Sequence, residues 1–167
     1  MAHRQTAHRQ HRYAVRLDWT GNLGNGTVSY RGYSRDHSLK APGNAGKPAI
    51  AASSDPAFRG DPARWNPEEL LVAALSSCHQ LWYLHLCATA GIVVTAYEDD
   101  AEGIMDEEAD GAGQFTAVVL RPRVALAPGS DRDRALALHH AAAEKCFIAR
   151  SVNFPVTHEP VVAVAAD

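Results

Sequence analysis

The segment Asn66-Pro67-Glu68-Glu69 and the apolar run that follows it to Ala90 constrain this chain more than any other part of it. Asn66 can cap a helix, Pro67 suits the first helical position with its fixed φ, and the acidic pair favours the positive end of the helix dipole. Gly91 supplies the residue type that ends helices in a left-handed turn. The pattern predicts one helix of about 24 residues, a rod of roughly 36 Å. It is apolar on nearly every side, so it belongs at the centre of a core. Its apolarity invites a membrane reading, but Ser76, Ser77, His79, Gln80, His85 and Thr89 interrupt the run. A bilayer span of about 20 residues rarely carries that many polar groups. The segment reads as a buried helix of a soluble protein without a membrane partner.

Around that helix the pattern is mostly β. Tyr13, Val15, Leu17 and Trp19 alternate with Ala14, Arg16 and Asp18, the period of a half-buried strand. Residues 21–26 hold three glycines and two asparagines, a turn, and Thr27–Tyr30 reads as the returning strand. Those glycines lack the following helix and Lys-Ser/Thr of a phosphate-binding loop. Residues 34–64 read as an irregular connection rich in Pro and Gly, a length that is often functional. Further strands are expected at Ile92–Tyr97, around Gly103-Ile104-Met105, across Gln114–Leu126 with a bend near Pro122, and at Val156–Val164. A second amphipathic helix starts from a Ser130 cap and breaks close to Cys146. This order points to an α+β fold. Residues 1–11 duplicate Ala-His-Arg-Gln and read as a flexible arm, leaving 12–167 as one folded domain, which suits a chain of 167 residues.

Sixteen Lys+Arg against 19 Asp+Glu give a net charge of −3, which offers no basic face for nucleic acid. The Met1 end lacks the apolar core of a secretion signal, so a reducing cytoplasm is the default location. Three cysteines are too few for a disulfide scaffold, and in such a compartment a cysteine is inert core or redox chemistry. Cys78 lies midway along the long helix. Cys87, nine residues on, faces the opposite side and reads as packing. Cys146 sits at the expected break after the second helix, between Lys145 and Arg150, cations of the kind that lower a thiol pKa. From a break beside a central helix a second thiol can reach the first. The spacing of His79 and His85 with Cys78 and Cys87 matches no common zinc pattern, and no metal or cofactor is expected. A Cys-His hydrolase on Cys78 and His79 fails because adjacent helical side chains diverge by about 100°. His139 and His140 read as a partly exposed pair.

Asn66-Pro67-Glu68-Glu69-Leu70-Leu71-Val72-Ala73-Ala74-Leu75-Ser76-Ser77-Cys78-His79 resembles the signature helix of the OsmC-like family, the osmotically inducible protein C and organic hydroperoxide resistance proteins. Lys145-Cys146-Phe147-Ile148-Ala149-Arg150-Ser151-Val152 is similar to the segment holding that family's second cysteine, and the separation of 68 positions from Cys78 to Cys146 suits it. With the N-terminal hairpin, the resemblance covers about residues 12–165. It implies antiparallel sheets wrapped around a long buried central helix in an intertwined homodimer. The activity it implies is that of a thiol-dependent peroxidase for organic hydroperoxides, with hydrogen peroxide as a further substrate. By position, Cys78 matches the peroxidatic cysteine, Cys146 the resolving cysteine and Glu68 the active-site glutamate. Arg59 is the choice for the family's arginine, with Arg35 as its rival. The implied reductants are lipoyl-type dithiols or small thiols.

The chemistry asks for those residue types. A peroxidase cysteine must be a thiolate, an arginine beside it lowers its pKa, and a carboxylate can hold that guanidinium through a bidentate pair. Leu81, Trp82, Phe147 and Phe154 offer an apolar mouth. Ten residues of helix separate Glu68 from Cys78 by roughly 15 Å, so the glutamate is expected from the antiparallel helix of a second copy. The reading from another class is a non-catalytic OsmC-like domain that holds a small apolar ligand, with both cysteines as core residues.

Overall fold

A computed structural model describes residues 9–166, so most of the proposed arm, residues 1–8, lies outside the described residues. The chain divides into two units, one up to Pro67 and one from Glu68 onward. In the first, β1 (Arg16–Trp19), β2 (His37–Lys40) and β3 (Ile50–Ala52) form an antiparallel sheet in the order β1-β2-β3. Leu17 lies opposite Leu39 and Trp19 opposite His37. The strand expected at Thr27–Tyr30 is absent, and those residues turn instead. The reason is local: Asn22 Oδ1 accepts from the N–H groups of both Gly24 and Gly26 at 2.9 Å, folding the loop on itself. Pairing resumes only where Thr20 N–H donates to Asp36 O at 2.9 Å. Tyr13 and Val15 also miss their expected strand and stand 90% and 70% exposed, because the register with β2 begins at Arg16.

The connection expected to be irregular holds β2, β3 and a short 3-10 turn at Pro56–Phe58. Asp55 caps that turn by accepting from Ala57 N–H at 2.7 Å. Gly60 closes it against backbone: a Cβ there would meet Ser54 O at 1.5 Å. A carbonyl in a bonded loop cannot move aside as a side-chain tip can. Gly60→Ala is therefore expected to destabilise this unit by about 1–3 kcal/mol, read from the urea midpoint.

In the second unit α1 (Pro67–Thr89) runs as expected and ends on Gly91 at φ 73°. Ile92 N–H donates to Cys87 O at 2.9 Å and Gly91 N–H to Ala88 O at 3.2 Å, the paired bonds of a Schellman end. The strands are β4 (Val94–Asp99), β5 (Glu102–Glu107), β6 (Gly113–Leu120), β7 (Pro122–Leu126), β8 (Val156–His158) and β9 (Val161–Val164). They form two sheets, β4-β7-β9 and β5-β6-β8. The single break at Arg121 sends β6 and β7 to different sheets. The tail, expected as one strand, splits likewise: β8 lies parallel to β6 and β9 parallel to β7. Parallel pairing needs a crossover, and α2 (Arg132–Lys145) supplies it. Its cap is Asp131, not Ser130: the Asp131 carboxylate accepts from Arg134 N–H at 3.0 Å.

The fold is α+β. α1 buries one stripe, Leu75, His79, Tyr83 and Cys87, at a four-residue stride. Tyr83 and Cys87 join Ile92, Val124, Leu126, Ala135, Ala142 and Val162 in one core cluster, and Leu75 joins Val118 and Leu120 in another. The other side of the helix, for which a second copy is the expected cover, is open in the single chain. Ala73, Ser77, Leu81 and His85 form an open stripe on α1, and Leu81 is 64% exposed. The two three-stranded sheets of this unit leave that stripe uncovered.

Candidate active site

α1 carries Cys78 at its midpoint, half-buried between the open and the covered stripes. α2 ends at Lys145, and Cys146 is its C-cap, with backbone already extended at φ −65°, ψ 110°. The chain then tightens into a 3-10 turn at Ala149–Ser151. This places the Cys146 sulfur, 1% exposed, where it accepts from Ala149 N–H at 3.4 Å. The Cys78 and Cys146 side chains are close enough for one thiol to act on the other electrostatically. The structure thus brings together the two cysteines expected to pair and leaves Cys87 in the core.

The electrostatics of Cys146 correct the sequence reading. Burial and the neighbouring Cys78 push its thiol well above the usual range, against smaller opposing bonds from backbone N–H groups. The cations expected to lower it are not among the groups that act on it. Lys145 Nζ lies 5.7 Å from the centre of the Trp82 ring, and Arg150 sits on the 3-10 turn.

Cys78 opens onto a groove of about 560 Å³ lined by Ala74, Ser77, Leu81, Trp82, His85, Phe147 and Ile148. Trp82 and Phe147 meet edge to face at 5.6 Å. Three of the four residues expected to form an apolar mouth are here. The fourth, Phe154, packs on Phe115 at 5.4 Å in the core cluster around Leu75.

Glu68 stands in the first turn of the same unbroken α1, which keeps it about 15 Å along the axis from Cys78. Its Oε2 is buried and has no hydrogen-bond partner among the described residues. The rival arginines belong to the other unit and converge on one ring: Arg35 Cζ lies 4.4 Å and Arg59 Cζ 5.9 Å from the centre of Tyr30. Arg35 is further held by Tyr33, whose ring centre lies 4.2 Å away, and donates to the carbonyls of Tyr33 and Tyr30 at 2.7 and 2.8 Å. Arg59 is exposed and holds a left-handed backbone at φ 67°.

A group of histidines escaped the sequence reading. His139, expected to be partly exposed, is 0% exposed, and only His140 faces solvent. His139 Nδ1 lies 3.0 Å from His79 Nε2, Tyr83 stacks on the His139 ring at 3.8 Å, and His158 completes the cluster at 5.5 Å from His79. Burial drives the imidazoles toward the neutral form, His79 down to about 4 and His139 to about 3, and each is lowered further by neighbouring imidazoles. The overlooked signal was the pair Ala135 and Ala142, which sit four before and three after His139 and mark it as inward-facing. Among the described residues no group of three or more His, Cys, Asp or Glu is arranged to hold a metal ion.

The family model described as OsmC-like protein matches residues 60–160. An OsmC-like protein of unknown function from Vibrio cholerae is 34% identical, covering 91% of this chain and 100% of that one, with a TM-score of 0.80. An organic hydroperoxide resistance protein from Legionella pneumophila shares the fold at 15% identity, 94% and 100% coverage and a TM-score of 0.66. One from Elizabethkingia anophelis does so at 16% identity, 94% and 100% coverage and a TM-score of 0.63. No curated protein matches.

Proposed function

The chain belongs to the OsmC-like family, and from that premise we propose that it reduces organic hydroperoxides through Cys78 and Cys146. One observation carries this reading: two thiols 68 residues apart in sequence meet, one facing an apolar groove and the other buried behind it. The Cys78 thiolate attacks the outer peroxide oxygen, the O–O bond breaks, and an alcohol leaves with a proton. Cys78 is now a sulfenic acid. Cys146 attacks its sulfur, water leaves, and a disulfide forms before further oxidation. An external lipoyl-type dithiol or small thiol then returns both cysteines to thiols by exchange. The apolar groove favours alkyl or aryl hydroperoxides, with hydrogen peroxide a poorer occupant.

In this reading Arg59 supplies the guanidinium that activates Cys78. Arg35 is the weaker choice because two carbonyls and two rings already engage it. Glu68 buttresses the arginine from a second copy, since its own helix keeps it away from Cys78, and the open stripe through Leu81 suits an antiparallel α1 of that copy. The working unit is then a homodimer in a reducing cytoplasm. The test is thiol titration of the reduced protein before and after one equivalent of cumene hydroperoxide. Two of its three thiols are expected to disappear. Loss of none would favour the other reading, a non-catalytic domain whose groove holds a small apolar ligand.

A further inference from the structure

A second, smaller cavity adjoins the buried thiol. It measures about 30 Å³ and is lined by Leu75 and His79 of α1, Ala143 and Cys146 at the end of α2, and Val156 and His158 of β8. That is room for one water, and the cavity wall brings the Cys146 thiol and two imidazoles around the same space. His79 is fixed there, its Nε2 bonded to His139 Nδ1 at 3.0 Å with the rings nearly parallel at 9°. Packing does not ask for imidazoles: an apolar side chain would fill the same volume without burying polar nitrogens. The attack of Cys78 on peroxide does not use them either.

Building on the peroxidase reading, we propose that His79, with its Nε2–H donating to His139 Nδ1, accepts the Cys146 proton at Nδ1 through one water in this cavity as the disulfide forms. The Cys146 S–H bond breaks, its electron pair makes the bond to Cys78 Sγ, and the Cys78 S–O bond breaks. The hydroxide released takes a proton from solvent to become water. The imidazolium returns its proton to solvent by way of His158, which is half-buried. The Cys146 sulfur is oxidised, the Cys78 sulfur is reduced, and protons balance.

The groups acting on the imidazoles set how this works. His79 faces His139 of α2 and His158 of β8, with Asp99 of β4 favouring its charged form; Tyr83 stacks on His139, and His140 of α2 acts on His158. At neutral pH His79 is unprotonated and can accept. It is also too weak a base to strip the resting Cys146 thiol. The acidity of that thiol rises as its sulfur bonds to Cys78, so the transfer becomes favourable only during that step. Cys146 therefore stays protonated until Cys78 has been oxidised.

The test mixes the reduced full chain rapidly with cumene hydroperoxide, trapping sulfenic acid with dimedone and quenching for disulfide. His79→Gln keeps a hydrogen-bonding side chain and removes the base. It is expected to leave Cys78 oxidation within about threefold of wild type and to slow disulfide formation at least about tenfold, with sulfinic acid accumulating. Raising the pH should restore the rate as Cys146 ionises unaided, which a merely structural defect would not allow. His79→Asn, which also removes the base, should slow the same step and serves if His79→Gln does not fold. In wild type the disulfide step should slow about twofold in heavy water, with the proton in flight. Disulfide formation at the wild-type rate in the variants, or no isotope effect in wild type, overturns the proposal. A wild type that forms no sulfenic acid overturns the peroxidase reading instead, a separate result.

Discussion

Cys78→Ser is expected to abolish hydroperoxide consumption, a loss of about a thousandfold or more, while Cys146→Ser still consumes two equivalents and then stalls. The asymmetry follows from what each sulfur faces. Cys78 opens on the groove, so a substrate meets it first, and a serine hydroxyl there is a far weaker nucleophile than a thiolate. Cys146 is 1% exposed with its proton held by burial, so it meets only a sulfur already delivered to it. Without Cys146 the sulfenic acid has no internal partner and proceeds to sulfinic acid with excess peroxide. Intact-mass spectrometry reads this as two added oxygens on Cys78 in Cys146→Ser, where the wild type shows the loss of two hydrogens. Equal behaviour of the two variants would contradict the assignment of roles.

Acid is expected to destabilise the fold steeply, through the buried imidazoles. His79 and His139 titrate near 4 and 3 in the folded chain and near 6.5 once unfolded. Between those values the unfolded chain binds more protons. Their contribution to stability is thus fully present above pH 6.5 and is lost as the pH falls through 6.5 toward 4. The loss is on the order of 3–6 kcal/mol by pH 4, the two rings being close enough to share part of it. Urea midpoints measured from pH 7.5 to 4.5 should fall throughout the lower half of that range. In His139→Leu, which removes one buried base and leaves an apolar side chain, the fall should be shallower. A flat profile in wild type would mean the imidazoles are not buried as described.

The parts legible in the sequence were those whose causes are local. Asn66 to Glu69 and Gly91 specify a helix by chemistry within one turn of each end, and α1 has those bounds. The break at Cys146 was readable for the same reason. Pairing partners were not. Thr27–Tyr30 has the composition of a strand, but the Asn22 side chain captures the turn first and passes the pairing to His37–Lys40. The split of the tail into β8 and β9 depends on strands 38 or more residues earlier, although Pro160, which has no N–H to donate, stands at the gap. At the site, both cysteines were found by their segments. The histidine cluster was hidden because His139-His140 looks polar as a dipeptide, and only their 100° divergence separates the buried ring from the exposed one.

The distance along the chain between Cys78 and Cys146 has a consequence beyond chemistry. A bond between them would tie the middle of α1 to the end of α2 and enclose β4 through β7 in a single covalent ring. Closing a ring of that size removes disorder from the unfolded chain, on the order of 4 kcal/mol. Each turnover would then tighten the molecule and release it again, so that resistance to unfolding records the chain's most recent encounter with an oxidant.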